Sequence, residues 1–373
     1  MKAIGIVLAG GTSTGLKELT SKRAGAAMPV GASYRAIDFA LSNLTNSGVK
    51  TVAVLTQFNA RSLHEHLNSS KWWNFGRKQG GLYTFTPTIT QNNSWWYRGT
   101  ADSIYQNLDF LKRRHEPYVI ICPGECICKI DLNAMLDFHE ERGADITIAV
   151  KKLADEDALK RFGVVEMNQD QRIVQFSEKP MKASSNIASM GIYIIRRRQL
   201  IELLEASHEE ERYDLVNDIL IRYKDVKGIY GYEFDGYWSN INTIPSYYQT
   251  NMDFLDRKIR KNFTTEPAIR TKIEDFPSAK FNDGSNVINS LVASGCIVNG
   301  EITDSVIFKK VFIGKGAVIK NSIVLNGAYV GEGAYLENCI VESYEQIPQN
   351  ARYSGSKDPI VVCGSKENIR TYH

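Results

Sequence analysis

Several features that would place the chain in a class at once are missing. No stretch approaches the ~20 consecutive apolar residues of a membrane span, so no membrane role is expected. No long Lys or Arg run is present, and the formal charge is only +3 over 373 residues. The whole-chain field therefore gives no reason to expect a nucleic-acid partner. The opening MKAIGIVLAGG has one Lys and an apolar stretch that runs straight into glycines. That is too short for a signal-peptide core with a cleavage site and reads as a first strand, so a cytoplasmic address is expected. Metal-cluster spacing is missing too. Of six cysteines, Cys122, Cys126 and Cys128 form C-x3-C-x-C without C-x2-C pairs or matching histidines. Reduced, structural thiols are expected; Cys296, Cys339 and Cys363 are scattered.

What is present is an ordinary globular composition, 43% hydrophobic and 23% charged, on a chain long enough for two domains. Over the first ~250 residues, strand-like and helix-like segments alternate: AIGIVLA, the helical YRAIDFALSNLTNSG, then KTVAVLT. SIYQNLDFLKRR reads as a helix, YVIICPG as a strand, LNAMLDFHEERG as a helix and DITIAVKK as a strand. Such alternation indicates βαβ units around a mostly parallel sheet. Ligands of such sheets sit beyond the strand C-termini, where the LAGG and ICPGE turns both fall, so these turns are expected to be neighbours.

After about residue 285 the rhythm changes. KVFIGKGAVIKNSIVL is echoed by GAYVGEGAYLENCIVE, with Ile313 recurring as Val330, Gly314 as Gly331, Gly316 as Gly333, Ile319 as Leu336 and Asn321 as Asn338. Every pair is seventeen positions apart, and EITDSVIF matches the second half of the unit one step earlier. Short apolar positions with Gly between them describe a parallel β-helix with three short strands per coil. The expected organisation is a domain over 1–255, a connector over 256–284 holding Pro267, Pro277 and Gly284, and a β-helix domain with a tail over 285–373.

An α/β nucleotide domain followed by a β-helix is typical of sugar-nucleotide pyrophosphorylases. The motifs YRAIDFALSN, LTQFNARSLHEHL, WYRGTADSIYQN, FSEKP, NIASMGIYII and YWSNINTIPSYYQTNMDFL, in that order, resemble ADP-glucose pyrophosphorylase (glucose-1-phosphate adenylyltransferase). The resemblance covers nearly the whole chain. It implies a Rossmann-like nucleotidyltransferase domain, class α/β, followed by a left-handed parallel β-helix. Within the family the chain is most similar to the GlgD-type subunit of bacterial glycogen synthesis, for reasons of absence.

The family reaction joins glucose 1-phosphate to the α-phosphorus of ATP and releases pyrophosphate. Its transition state gathers charge on phosphate oxygens, so backbone N–H groups, cations and Mg²⁺ must converge there. The resemblance places Leu8, Ala9, Gly10, Gly11, Tyr97, Gly99, Thr100 and Ala101 along the nucleotide. In the family loop, GG-x-G-T-R-L-x-P-L-T-x-x-R-A-K-P, an Arg and a Lys hold the triphosphate. Here those positions are Gly15 and Gly25, the third loop glycine is Ser13 and the final Pro is Ala26. The two metal-binding Asp positions are Glu125 and Asn240; the longer carboxylate can still ligate Mg²⁺, and the amide offers only a neutral oxygen. Losing one transition-state contact costs roughly 10²–10³ in rate, so a degenerate chemical site is expected, with Mg²⁺ a cofactor of the family reaction that this chain need not bind. Lys17, Lys22 and Arg23 lie close enough in sequence to be considered as substitutes.

The sugar-phosphate half reads differently. Glu178-Lys179-Pro180 keeps the family's E-K-P, whose Lys holds the glucose 1-phosphate anion, and Ser189 and Asp218 match positions of the sugar pocket. Lys22, Arg23 and Arg35 match basic positions of an effector-anion site, against the plainer reading of a solvated surface cluster. Gln57 and Trp96 match positions that couple effector to active site, although paired Trp95 and Trp96 are more commonly packing residues. Three readings stay open. The first is a catalytically weak or inactive regulatory subunit assembled with a GlgC-type catalytic partner into a heterotetramer. The second is an autonomous pyrophosphorylase with a substituted site, and the third a subunit that binds a sugar phosphate, ATP, ADP-glucose or an effector without chemistry.

Overall fold

The fold is that of a computed structural model, described over residues 1–76, 80–88 and 96–364. By internal contact the chain forms two compact units, Met1–Gly11 with Ile37–Trp238, and Thr12–Ala36 with Ser239–His373. The segment 12–36 therefore packs with the C-terminal half, a grouping that a division at 255 does not contain.

The first unit is built on a nine-stranded sheet. Its strands are β1 (Ala3–Ala9), β2 (Thr51–Thr56), β3 (Gly81–Phe85), β4 (Tyr118–Pro123), β5 (Ile146–Lys152), β6 (Gly163–Met167), β7 (Ile173–Glu178), β8 (Ile187–Arg196) and β9 (Ile229–Glu233). The path runs β7-β6-β8-β4-β1-β2-β3, and β5 pairs with both β8 and β9. The neighbours around β1 are parallel, as expected from the βαβ pattern. β8 is antiparallel to β4 and β5, which makes the sheet mixed. β1, β2 and β4 are buried nearly end to end, as a sheet covered on both faces requires.

The helices expected at 34–48 and 132–143 form as Ile37–Asn46 and Leu132–Glu141. Each is followed by a glycine in the left-handed region, Gly48 (φ 81°) and Gly143 (φ 56°), the usual helix terminator. The single helix expected over SIYQNLDFLKRR is instead two, Thr100–Tyr105 and Leu108–Lys112. Asn107 interrupts it by turning its amide to the Tyr97 hydroxyl and the Ser103 carbonyl, both at 2.9 Å, the kind of side-chain bond that competes with a helix. Inside the first helix Asp38 is fully buried and accepts from His66 Nε2 at 2.6 Å. The thiols of Cys122, Cys126 and Cys128 are free and buried, with Cys126 and Cys128 Sγ 3.6 Å apart.

In the second unit three five-stranded parallel sheets wind as the expected left-handed β-helix would. Ile302, Ile319 and Leu336 stack inward on one side, and Val298, Ile313, Val330 and Ile347 on another. At one corner, hydroxyls bind coil to coil. Ser305 N–H donates to Ser290 Oγ, Ser322 N–H to Ser305 Oγ and Cys339 N–H to Ser322 Oγ, at 3.0, 3.1 and 3.1 Å. At another, a Cβ on Gly314 would lie 2.6 Å from Glu332 N and one on Gly331 2.7 Å from Gln349 N, which explains the repeated glycine. The first coil starts at Lys280–Phe281, within the stretch expected to be connector, and that stretch opens with a helix, Arg257–Thr264.

The segment 12–36 is held in this unit by specific bonds. Tyr247 OH donates to the Pro29 carbonyl at 2.8 Å, and Gly31 N–H to Asn251 Oδ1 at 2.9 Å. Gly31 has φ +58° and lies flat on the Phe254 ring, where a Cβ would come within 2.4 Å.

One fold element yields a pH prediction. His139 is buried, its Nδ1 bonded to Thr147 Oγ1 at 2.9 Å. Burial, followed by the Arg196 charge, lowers its pKa from 6.5 to about 4. Between those values the unfolded chain binds the extra proton, so stability rises with pH across this window and falls as pH drops through it. The contribution is at most about 1.4 kcal/mol per pH unit. Denaturant melts of wild type and His139→Asn from pH 4.5 to 7 should converge towards the acid end; parallel curves would contradict the assignment.

Candidate functional site

In the first unit the site is built from strand ends. Leu8 pairs with Pro123 across β1 and β4, and Gly124 N–H donates to the Leu8 carbonyl at 2.9 Å. The LAGG and PGE turns are therefore neighbours, which sets half-buried Glu125 beside the end of β1. A Cβ on Gly10 would sit 3.4 Å from Gln57 Cβ, whereas one on Gly11 would meet nothing within 4 Å. Gly11 thus opens onto free space, as backbone that receives a ligand must.

The segment Tyr97–Thr100 is fixed from both sides. Tyr97 N–H donates to Gln57 Oε1 at 2.7 Å, and Arg98 N–H to Asp102 Oδ2 at 2.8 Å. Gly99 touches the Tyr213 carbonyl so closely that a Cβ would lie 2.3 Å away. That carbonyl accepts from Ala101 and Asp102 N–H at 2.8 and 3.2 Å. Thr100 Oγ1 accepts from Leu215 N–H at 2.9 Å and donates to Asp214 Oδ2 at 3.4 Å.

Glu178, Ser189 and two residues outside the sequence expectation, Tyr193 and Asp214, form one polar group. Burial raises the Glu178 carboxyl pKa; Lys179 opposes this, and the negative charge of Asp214 adds to it. Burial likewise raises Tyr193, whose hydroxyl meets the Ser189 side chain and feels Glu178 and Asp214. A bulge between Ser189 and Tyr193, with Gly191 at φ +74°, aims these side chains; such bulges commonly re-aim a side chain next to a site. Lys179 is exposed, its Nζ 3.7 Å from Glu178 Oε1. Carboxylates and hydroxyls beside one cation suit a polyol with an anionic end.

Asp218 sits differently from a free pocket group. Its Oδ2 accepts from Tyr213 and Asp214 N–H at 3.0 and 2.8 Å, and its Oδ1 from Arg212 at 3.4 Å. It staples the turn into a π-helical stretch, Leu215–Ile221, a local geometry often found at functional sites. Asp214, four residues earlier, is the carboxylate whose charge reaches Glu178 and Tyr193.

In the second unit, Gly15 is half-buried against the YWSNINT segment. A Cβ at position 15 would lie 2.3 Å from the Asn242 carbonyl oxygen and 3.3 Å from Thr243 Cγ2. Gly25 is buried in a tight turn, Gly25–Ala27. Asn240 Oδ1 and Asn242 Oδ1 are buried without a hydrogen-bond partner. Lys17, exposed, holds an unusual backbone at φ 47°, ψ −119°. Arg23 is ion-paired to Glu342 and donates to Ser343 Oγ at 3.3 Å, so it is engaged within its own unit. Arg35 faces Glu274: burial works to raise that carboxyl, and Lys309, then Arg35, outweigh it and hold it low. Lys22 is exposed.

Residues 4–257 match the family model for a nucleotidyl transferase, and 276–356 that for a GlmU-like C-terminal hexapeptide domain. The chain is 38% identical over 327 residues to the glucose-1-phosphate adenylyltransferase of Mycoplasma mobile, covering 85% of this chain and 84% of that one. It is also 38% identical over 323 residues to that of Geobacillus stearothermophilus, 86% of this chain and 83% of the relative. With the Clostridium beijerinckii protein of the same name the identity is 38% over 371 residues, 98% and 96% of the two chains.

The chain belongs to the glucose-1-phosphate adenylyltransferase family.

For a glucose-1-phosphate adenylyltransferase, the metal question turns on donors. Among the described residues no three His, Cys, Asp or Glu side chains converge to hold an ion. At the position of the family's second metal carboxylate, Asn240 brings a neutral oxygen, which cannot balance a cation's charge. The residues present do not by themselves fit a resident Mg²⁺. Trp95 lies outside the described residues. Tyr193 was within reach of sequence reasoning, since it stands in the quoted NIASMGIYII motif. Asn242 was not: its role is a backbone oxygen, which carries no residue-type signal. No described helix is long and apolar enough to cross a membrane.

The Gly15 packing gives a direct prediction. Gly15→Ala should destabilise by about 1–3 kcal/mol, the usual cost of forcing an atom into filled space, and Gly15→Arg by no less. Gly11→Ala, which enters open space, should stay within about 0.5 kcal/mol. Chemical denaturation measures all three; a Gly15→Arg protein as stable as wild type would show that the loop has room.

Proposed function

We propose that the chain is a GlgD-type regulatory subunit, catalytically weak or inactive, of a cytoplasmic glucose-1-phosphate adenylyltransferase in glycogen synthesis. It acts with a GlgC-type catalytic subunit as a hetero-oligomer, a tetramer in the simplest form. The observation that carries this reading is the Asn242 carbonyl against Gly15. Where the family loop brings an Arg to the triphosphate, this chain has neither the side chain nor the space for one. Gly25 removes the second cation, and Asn240 replaces a metal carboxylate with an amide. Transition-state charge on phosphate then lacks most of its partners, and one such loss alone is worth roughly 10²–10³ in rate.

The sugar-phosphate half supports binding without turnover. Glu178, Ser189, Tyr193 and Asp214 are gathered and Lys179 is free to reach an anion, an arrangement suited to glucose 1-phosphate. Lys22 is the exposed member of the three basic residues proposed for an effector anion. This reading keeps a nucleotidyltransferase-like domain over 1–255, a connector over 256–284 and a β-helix domain from 285. An autonomous enzyme is the second reading, favoured by Glu125 standing beside the end of β1 with its carboxylate retained.

Mixing the purified chain with a GlgC-type subunit should give a complex of higher mass than either alone. Its ADP-glucose synthesis should differ from that of the catalytic subunit in maximal rate or effector response. Two species that elute separately, with the catalytic rate unchanged, would sink the regulatory reading.

A further inference from the structure

Two large aromatic side chains stand in water at the nucleotide end of the first unit. Trp96 is 63% exposed and Phe58 40% exposed, and their rings lie parallel, 5° apart in plane with centroids 6.1 Å apart. A folded chain ordinarily covers such surface, and an exposed apolar patch calls for an explanation. Both rings are held by rigid neighbours. Gln57 spends both ends of its amide on the Tyr97 backbone, accepting the N–H at 2.7 Å and donating to the carbonyl at 3.4 Å. Tyr97 is itself buried, with its hydroxyl bonded to Asn107 at 2.9 Å. Trp96 is thereby fixed beside Phe58, and Asn59, at φ 47°, turns the chain away immediately after it. The pair hangs off the C-terminal end of β2, next to β1 and the open Gly11, and Gly10 would touch Gln57.

We propose that Phe58 and Trp96 form a stacking platform for the planar base of a nucleotide received at Gly10–Gly11. The inference rests on the nucleotide-binding part of the reading above and assigns it a base-recognition surface. Every base has a π-face, so aromatic rings bind it by stacking whatever its edges carry. A platform already rigid in the free protein loses little freedom on binding. It also suits a chain short of triphosphate cations, because affinity then depends on the base.

Calorimetric titration of the full chain with ATP, adenosine and glucose 1-phosphate tests this, using Trp96→Ala, Phe58→Ala and Trp96→Phe. Each alanine variant should weaken ATP and adenosine by roughly 5- to 150-fold, the range of one stacking contact. Trp96→Phe should weaken them less, and glucose 1-phosphate should bind all variants as it binds wild type. Alanine variants that hold ATP and adenosine as tightly as wild type would overturn the platform alone. Equal loss of glucose 1-phosphate would overturn it too, by showing a general structural role. A wild-type chain that takes up neither ATP nor adenosine at millimolar concentration would overturn the nucleotide reading and the platform together.

Discussion

One backbone oxygen governs how the site can be read. The Asn242 carbonyl fills the volume in which any side chain at position 15 would begin. Its position is set by the helix that follows, Ile244–Asp253, whose first turn is closed by reciprocal Thr243 and Ser246 bonds with Pro245 at the start. The same helix anchors the rest of segment 12–36 through Tyr247 and Asn251. The loss at position 15 is therefore a property of packing as well as of residue identity. Putting the cation back would require the capped helix start or the loop to move.

The two halves of the candidate site differ in physical kind. Nucleotide chemistry in this family depends on fixed positive charge and on carboxylates that hold a metal, both of which point substitutions remove outright. The sugar half depends on hydroxyls and carboxylates placed by sheet geometry. The bulge at Gly191, which packs on Pro123, and the turn stapled by Asp218 keep Ser189, Tyr193, Asp214 and Glu178 together. Such a framework also maintains the sheet, so it persists while catalytic groups are lost. A chain of this kind can retain a ligand-shaped surface and still have little means of stabilising a transition state.

Much of this was legible from residues alone. Glycine-bounded apolar runs indicated β1, β2 and β4, and the adjacency of two strand ends placed LAGG beside PGE. The seventeen-residue echo indicated the β-helix because inward stacking forces equal coil lengths. It faded towards residue 285 because the coil from Asn286 to Glu301 is shorter, which hid the first strand at Lys280. Other features depend on tertiary contacts. Asp218 matched a pocket position, yet its oxygens are taken by backbone N–H groups, and Asp214 carries the charge instead. Asn107 broke a helix that apolar spacing alone would continue. The membership of 12–36 in the C-terminal unit came from hydrogen bonds over more than two hundred residues, to which no local pattern points.

The central claim is that phosphate and metal groups have been lost while the sugar side has been kept. Its most direct test is the steady-state rate of ADP-glucose formation by the purified chain alone, with saturating ATP, Mg²⁺ and glucose 1-phosphate, set against a catalytic relative. Loss of even one transition-state contact predicts a rate at or below about 10⁻² of the relative's, and the combined losses predict less. A chain that turns over alone at a comparable rate would contradict the account and leave Glu125, with cations other than those at positions 15 and 25, as the working machinery.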